Sequence, residues 1–139
     1  MKVLVSGSSS GIGRATALKF LSSGHEVIGM DILPSSISHP FYTHFIHDVA
    51  DRDYPELKGI EGFVHSAGIF LGEEEVIETN LLGTIRLCEH LLSLGDIRSV
   101  CLIGSASARN GSEFPYYVAS KGGLLSYGKN LALRLAKIG

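Results

Sequence analysis

The chain has 139 residues, 45% hydrophobic and 19% charged, a balance typical of one soluble globular domain with its own core. Its formal net charge of −2 and its scattered lysines and arginines argue against a nucleic-acid or membrane-surface partner. No apolar run approaches the roughly 18 residues of a membrane span, and the N-terminal run is too short for a signal peptide. We therefore expect a cytoplasmic protein in which Cys88 and Cys101, each within an apolar stretch, are buried and reduced.

Short apolar runs alternate with longer helical patterns along the chain, as expected of successive β–α–β units around a parallel sheet. The predicted strands cover residues 2–6, 26–30, 44–47, 62–66 and 100–104, and the predicted helices cover 12–23, 73–93 and 115–137. Residues 31–43, rich in proline and serine, are predicted to form a loop. The pattern indicates a single α/β domain over residues 1–139.

A glycine-rich turn with the spacing G-x-x-x-G-x-G follows the first predicted strand. Glycine allows a tight turn, a close approach of the backbone to a pyrophosphate and close packing of the next helix on its strand. The helix N-terminus then offers free N–H groups to phosphate. The predicted phosphate-binding residues are Gly7, Ser9, Ser10, Gly11, Ile12 and Gly13.

Asp31 follows the second predicted strand. A carboxylate at this position accepts hydrogen bonds from the ribose hydroxyls of adenosine and repels a 2′-phosphate. Its neighbours Ile32 and Leu33 carry no charge to neutralise such a phosphate. The pattern favours NAD, with NADP as the alternative cofactor. If Asp31 binds no cofactor, it is a residue of a surface turn.

Tyr117 and Lys121 are four residues apart, on one face of the last predicted helix. A free tyrosine, with a pKa near 10, is a poor acid–base catalyst at neutral pH, and a nearby ammonium group stabilises the phenolate. This pairing is common on helices, so the spacing by itself does not identify a catalytic site.

In their order along the chain, the glycine turn, Asp31, Asp48-Val49, Ser66-Ala67-Gly68, Asn80, Ser105 and Tyr117/Lys121 resemble the short-chain dehydrogenase/reductase family. The resemblance implies a Rossmann-type three-layer sandwich with a parallel sheet in the order 3-2-1-4-5 that binds NAD(H) or NADP(H). It also implies reversible hydride transfer between a secondary alcohol and a ketone.

The resemblance further implies a role for each matching residue. Tyr117 would be the general acid–base, Ser105 would bond the substrate oxygen, and Lys121 would bind the nicotinamide ribose. Asn80 would hold a water molecule of a proton relay to solvent. Asp48 would bond the adenine amino group, and Val49, Ser66, Ala67 and Gly68 would line the cofactor groove. Ser107 is an alternative for the serine role.

The sequence also departs from the family pattern. His65-Ser66-Ala67-Gly68 replaces the usual Asn-Asn-Ala-Gly, and the interval from Ser105 to Tyr117 is one residue shorter than usual. The segment from Asp48 to Gly62 leaves little room for a full helix. We expect the C-terminal strands and substrate lid of family members to be missing. A dinucleotide-binding sensor or scaffold without turnover is therefore the alternative function.

Three further groups of residues bear on metals, on a helix N-terminus and on partners. His44 and His47, beside Asp48, carry metal-ligand chemistry, but residues three apart on a strand point to opposite faces, so no metal site is predicted. Glu73-Glu74-Glu75 is expected to form the acidic first turn of a helix.

The apolar residues of the last helix cover a wider arc than packing on one sheet requires. The surplus predicts a homodimer or homotetramer interface or contact with a missing segment. These residues are Tyr117, Leu124, Leu125, Tyr127, Leu131, Ala132, Leu135, Ala136 and Ile138, with Leu133 beyond them.

Overall fold

The structure, a computed structural model, describes residues 1–136. Its centre is a parallel five-stranded sheet in the order β3-β2-β1-β4-β5. The strands are β1 (Lys2–Ser6), β2 (Glu26–Asp31), β3 (Tyr42–Ile46), β4 (Gly62–His65) and β5 (Ser99–Leu102). The predicted α/β class, Rossmann-type architecture and strand order are confirmed.

The helices pack on both faces of this sheet. They are α1 (Gly11–Ser22), α2 (Glu74–Ile77), α3 (Thr84–Leu94), α4 (Ser107–Asn110) and α5 (Pro115–Leu135). A π-helical segment, Glu78–Gly83, joins α2 to α3. The prediction of one uninterrupted α-helix over 73–93 is therefore wrong in its middle, and α4 was not predicted. Of the predicted last helix, Lys137 lies outside the described residues.

The period of two in β1 assigns its side chains to two separate cores. Val3 and Val5 belong to a cluster with Ala17 and Leu21 of α1, on one face of the sheet. Leu4 belongs to the other cluster, on the opposite face, whose buried members include Phe63 of β4 and Leu87 and Leu91 of α3. All three β1 residues are at most 1% exposed. This double burial makes β1 the fixed centre from which the loops at the carboxyl edge extend.

Both bounds of β3 and β5 differ from the prediction, and β2 ends one residue later and β4 one residue earlier than predicted. Strand β3 begins at Tyr42, inside the predicted loop, because Tyr42 and Thr43 pair with Val27 and Ile28 of β2. It ends at Ile46, one residue before the predicted end. Strand β5 spans Ser99–Leu102, where 100–104 was predicted, and pairs with β4 on one side.

The two cysteines lie in different environments. Cys88 on α3 is buried, as predicted, but Cys101 on β5 is exposed, so the prediction of burial is wrong for Cys101. Strand β5 is at the edge of the sheet, and its side chains alternate between exposed and half-buried. Apolar neighbours along an edge strand do not reveal which of its two faces is covered. No helix within residues 1–136 is long and apolar enough to cross a membrane.

Candidate active site

A groove of about 670 Å³ lies at the carboxyl ends of β1, β2 and β4, where the strand order reverses direction. The predicted cofactor residues that line it are Gly7, Ser10, Gly11, Ile12, Asp31, Asp48, Val49, Ser66, Ala67 and Gly68. Residues that the sequence analysis did not select also line it: Met30, Ile32, Leu33, His47, Ile69, Glu75 and Thr79. Met30 and Ile32 flank Asp31, His47 precedes Asp48, Ile69 follows Gly68 and Thr79 precedes Asn80, whereas Glu75 reaches the groove from α2.

The glycines of the turn allow contacts that no side chain would permit. Gly7 has φ +71°, and a Cβ added to it would lie 2.7 Å from the backbone nitrogen of Ala67. A Cβ on Gly13 would overlap the carbonyl oxygen of Gly7. The turn is thus packed directly against the loop after β4 and against the first turn of α1. Ser10, the N-cap of α1, does not cap the helix with its side chain, so the first N–H groups of α1 are available to a ligand.

Asp31 is held in place by the backbone around it. The backbone N–H of Ser9 donates to Oδ2 at 3.0 Å, and that of Leu33 donates to Oδ1 at 3.0 Å. The hydroxyl of Ser9 donates to the carbonyl of Leu33 at 2.9 Å and closes the loop. Each carboxylate oxygen can accept a further hydrogen bond, and Asp31 lines the groove. Within residues 1–136, no lysine or arginine forms an ion pair with Asp31.

The segment after β3 provides the far end of the groove. Asp48 accepts a hydrogen bond from the N–H of Ala50 at 2.9 Å, which fixes the turn. His44 is not paired with His47, since its Nε2 bonds the carbonyl of Leu33 at 2.9 Å. His47 instead lies beside Asp51 and Asp53, with ligand atoms within 4.8 Å of one another. This grouping forms through the turn after β3 and was not predicted from the sequence.

A chain of buried hydrogen bonds runs behind the groove. The backbone N–H groups of Ser66 and Ala67 donate to Ser6 Oγ at 3.2 and 3.3 Å, and Ser6 Oγ lies 2.8 Å from His65 Nδ1. His65 Nε2 lies 2.6 Å from Thr84 Oγ1, which donates to the carbonyl of Asn80 at 2.8 Å. Because the single Thr84 proton is used on that carbonyl, His65 donates from Nε2 and accepts at Nδ1.

This chain requires a neutral imidazole. His65 is 1% exposed. Burial, together with the positive charge of Lys121, lowers the pKa of His65 to about 3. The residue that replaces the first asparagine of the family pattern is therefore an uncharged link between the groove and the π-helical segment.

Asn80 lies at the centre of the π-helical segment and is fully buried. Its Oδ1 accepts from the N–H of Ile69 at 2.8 Å, and its Nδ2 donates to the carbonyl of Ile69 at 2.8 Å. Nδ2 also donates to Ser120 Oγ at 3.3 Å, and Ser120 Oγ donates to the carbonyl of Tyr117 at 2.8 Å. The extra backbone residue of a π-turn, a feature common at functional sites, brings Asn80 between the loop after β4 and helix α5. Ser120 was not selected from the sequence.

The remaining predicted catalytic residues gather at the carboxyl end of β5. Ser105 Oγ and Ser107 Oγ lie 2.7 Å apart, so the two candidates for the serine role are bonded to each other. Ser107 is 2% exposed, whereas Ser105 is half-buried, so only the hydroxyl of Ser105 is open to a substrate. This difference favours Ser105.

Lys121 is buried, 6% exposed, and its Nζ donates to the carbonyl of Ile103 at 3.0 Å. The same Nζ lies 5.9 Å from the centre of the Tyr117 ring, as the shared helix face predicts. Burial lowers the pKa of the Lys121 ammonium. Ser9, Gly13, Asn80, Ser105, Tyr117 and Lys121 do not line the groove itself.

The predicted interface helix divides into covered and open positions. Leu124 and Leu131 are buried, whereas Leu125 is 42% and Leu133 71% exposed. Arg134 donates two hydrogen bonds of 2.8 Å to Glu89 and joins α5 to α3. The subunit interface stays a prediction, and Ile138 lies outside the described residues.

The chain is similar to known dehydrogenases over nearly its whole length. A short chain dehydrogenase of Penicillium roqueforti, adrF, is 31% identical over 99% of this chain and 64% of its own. The 2,3-dihydro-2,3-dihydroxybenzoate dehydrogenase of Escherichia coli is 30% identical over 99% of this chain and 64% of its own. The chain thus spans less than two thirds of the length of these relatives. No protein-family model matches it.

Solved structures give the same result. The aldohexose dehydrogenase of Thermoplasma acidophilum has a TM-score of 0.84 at 27% identity, covering 96% of this chain and 60% of its own. A 4-hydroxyisoleucine dehydrogenase complexed with NADH has a TM-score of 0.86 at 22% identity, covering 98% and 70%, and its likeness shows the fold alone. The relatives, the fold and the order of the site residues agree, and the chain belongs to the short-chain dehydrogenase/reductase family.

Proposed function

We propose that the protein is an NAD(H)-dependent oxidoreductase that interconverts a secondary alcohol and a ketone by hydride transfer. This proposal rests on the groove of about 670 Å³, in which the glycine turn and Asp31 lie at the carboxyl edge of the sheet, where the strand order reverses. It is an arrangement that recognises a dinucleotide.

The residues of the groove fit such a ligand. Because Gly7 has no side chain, the turn lies directly against the backbone of Ala67. The N–H groups at the start of α1 are free to donate to phosphate oxygens. Asp48 and Val49 would hold the adenine end, and Lys121 the ribose next to the nicotinamide. When bound, the nicotinamide ring accepts or supplies the hydride.

The preference for NAD over NADP rests on Asp31. Its two oxygens are fixed by backbone donors and free to accept from two ribose hydroxyls. A 2′-phosphate would bring a second negative charge to the same place, where no described cation pairs with the carboxylate.

The chain's own residues would handle the proton. The Tyr117 hydroxyl would donate to or accept from the substrate oxygen, and Ser105 would hold that oxygen by a hydrogen bond. The buried ammonium of Lys121 would stabilise the phenolate form of Tyr117. Asn80 would hold a water molecule that relays the proton to solvent.

The test combines binding with turnover. Titration of the protein with NADH, followed by nicotinamide fluorescence, should give a saturable signal that is stronger than the signal with NADPH. Absorbance at the nicotinamide band should then report oxidation of secondary alcohols from a panel. The absence of saturable binding by both cofactors would overturn the proposal.

A dinucleotide-binding sensor or scaffold is the second candidate. It is favoured by the hydrogen bonds that Ser105 makes to Ser107 and Lys121 to Ile103, because both groups are already engaged without a substrate. Saturable NADH binding without turnover of any alcohol or ketone would select this function. We further propose a homodimer or homotetramer that buries the exposed leucines of α5.

A further inference from the structure

Three aromatic rings meet where the loop after β4 approaches the start of α5. The Phe70 ring packs edge-on against Tyr117, with centres 4.9 Å apart, and edge-on against Phe114, with centres 5.2 Å apart. Phe70, Phe114 and Tyr117 are called the aromatic cluster below. Neither phenylalanine was selected from the sequence.

The backbone under the cluster is fixed by the catalytic machinery. Phe70 follows Ile69, whose N–H and C=O are both bonded by the side chain of Asn80. Phe114 precedes Pro115, the first residue of α5, and its carbonyl accepts from the N–H of Val118 at 2.9 Å. The backbone that carries both phenylalanine rings is therefore held by hydrogen bonds before any ligand binds.

The cluster is also open. Phe70 is 43% and Phe114 48% exposed, and neither belongs to the two hydrophobic cores of the described chain. Exposed apolar groups that are held together in a patch mark binding sites. This patch contacts the ring of the proposed general acid–base, so whatever covers it stands next to the reacting oxygen.

We propose that the aromatic cluster is the substrate subsite and that it takes an aromatic group attached to the carbinol carbon. This inference rests on the proposed function and names its substrate class. Rings that pack edge-on accept a further ring with favourable geometry. A polyhydroxylated group would lose its bonds to water against Phe70 and Phe114, whose side chains offer no hydrogen-bond partner in return.

The test uses two alcohols that share the CH(OH)CH3 group. With NAD, the full-length protein should oxidise 1-phenylethanol to acetophenone with a kcat/KM at least about tenfold above that for 1,2-propanediol. Phe114→Ala should lower kcat/KM for 1-phenylethanol about tenfold, mainly by raising KM. It should leave kcat/KM for 1,2-propanediol within about threefold of the wild-type value. Phe114 is chosen because it contacts Phe70 and leaves the contact of Phe70 with Tyr117 in place.

Phe41→Ala is the matched control. Phe41 is 59% exposed, immediately precedes β3 and does not line the groove. The proposal is overturned if 1,2-propanediol is the better substrate, or if Phe41→Ala changes the selectivity as much as Phe114→Ala does. It is also overturned if Phe114→Ala lowers only the thermal midpoint, because the cluster then packs against another polypeptide segment.

Failure of the proposed function is recognised separately. If no alcohol is oxidised, saturation-transfer NMR measures acetophenone binding directly, without turnover. Binding that is lost in Phe114→Ala and kept in Phe41→Ala supports the subsite even in a protein that is no dehydrogenase. Equal binding by the wild type and by Phe114→Ala, or none by the wild type, overturns it.

Discussion

At the carboxyl ends of β1 and β2 the chain closes on itself mainly through its backbone, whereas near β5 the candidate catalytic groups are held mainly by side chains. Gly7 and Gly13 bring backbone against backbone, and backbone N–H groups fix Asp31. By contrast, Asn80, Ser105 and Lys121 depend on hydrogen bonds made by their own side-chain atoms. These regions are called the nucleotide side and the catalytic side below.

The difference suggests a division of labour. A site that binds a constant ligand is built from backbone, which leaves little to adjust. A site that performs chemistry depends on side chains whose protonation and hydrogen-bond partners decide the outcome. Single substitutions should therefore separate the two: changes on the catalytic side should affect turnover, and changes on the nucleotide side should affect binding and stability together.

The largest effect is expected from Tyr117→Phe. Removal of one hydroxyl should lower turnover by about 10²- to 10⁴-fold, because no other group transfers the proton, while NADH affinity changes little. Steady-state kinetics and a fluorescence titration measure the two quantities. A variant that keeps more than about a tenth of the wild-type rate would contradict the assignment of Tyr117.

Gly13→Ala tests the nucleotide side. The added methyl group overlaps the Gly7 carbonyl, so the turn and α1 must separate. We expect a loss of about 1–3 kcal/mol in the free energy of unfolding, together with weaker NADH binding. Gly122→Ala is the control: its Cβ would meet nothing within 4 Å, and alanine in helix α5 should stabilise the protein by about 0.5–1 kcal/mol. Unchanged NADH affinity in Gly13→Ala would refute the close-packing argument.

His65 links the two sides and predicts acid sensitivity. Its pKa is about 3 in the fold and lies near 6.5 in the unfolded chain, so the unfolded state takes up the proton first. Stability contributed by the neutral imidazole is complete above pH 6.5 and falls by about 1.4 kcal/mol per pH unit as the pH drops towards 3.

Urea unfolding at pH 7 and pH 5 measures this contribution. His65→Asn should reduce the difference in unfolding free energy between the two pH values by about 2 kcal/mol. His25→Asn, a change at a partly exposed histidine outside the buried chain, should leave the difference as in the wild type. If His65→Asn retains the full acid sensitivity, the buried chain does not depend on a neutral histidine.

An effect of similar size is expected from a change of cofactor preference. Asp31→Ala combined with Ile32→Arg removes the repulsion of a 2′-phosphate and adds a counter-charge at the groove. The ratio of kcat/KM for NADP to that for NAD should rise by about ten- to a hundredfold, equivalent to about 1.4–2.7 kcal/mol. A wild-type protein that already favours NADP would refute the role given to Asp31.

Much of the nucleotide side was predictable from the sequence. The glycine spacing, the strand–turn–helix order and the acidic residue after β2 are local patterns, and ten of the predicted residues line one groove. Local patterns suffice here because backbone conformation decides the geometry. The pairing of Tyr117 with Lys121 was predictable for the same reason, since helix periodicity alone sets it.

The catalytic side was less predictable. Neither Ser120 nor Thr84 carries a sequence signal, because each acts on a partner from a distant segment. The π-helical turn around Asn80 has the apolar spacing of an ordinary helix, and only the packing of the loop after β4 accounts for it. Likewise, the apolar sequence around Cys101 did not indicate its exposure at the sheet edge.

The sequence by itself determined the α/β class and the glycine-rich turn after β1, because these follow from periodicity and spacing along the chain; the strand order followed from the resemblance to the family. Only the tertiary structure decided that His65 is buried neutral between Ser6 and Thr84, and that Phe70 stands open beside Tyr117. Both depend on contacts between segments far apart in sequence, where burial and hydrogen bonding set the charge and accessibility of a side chain.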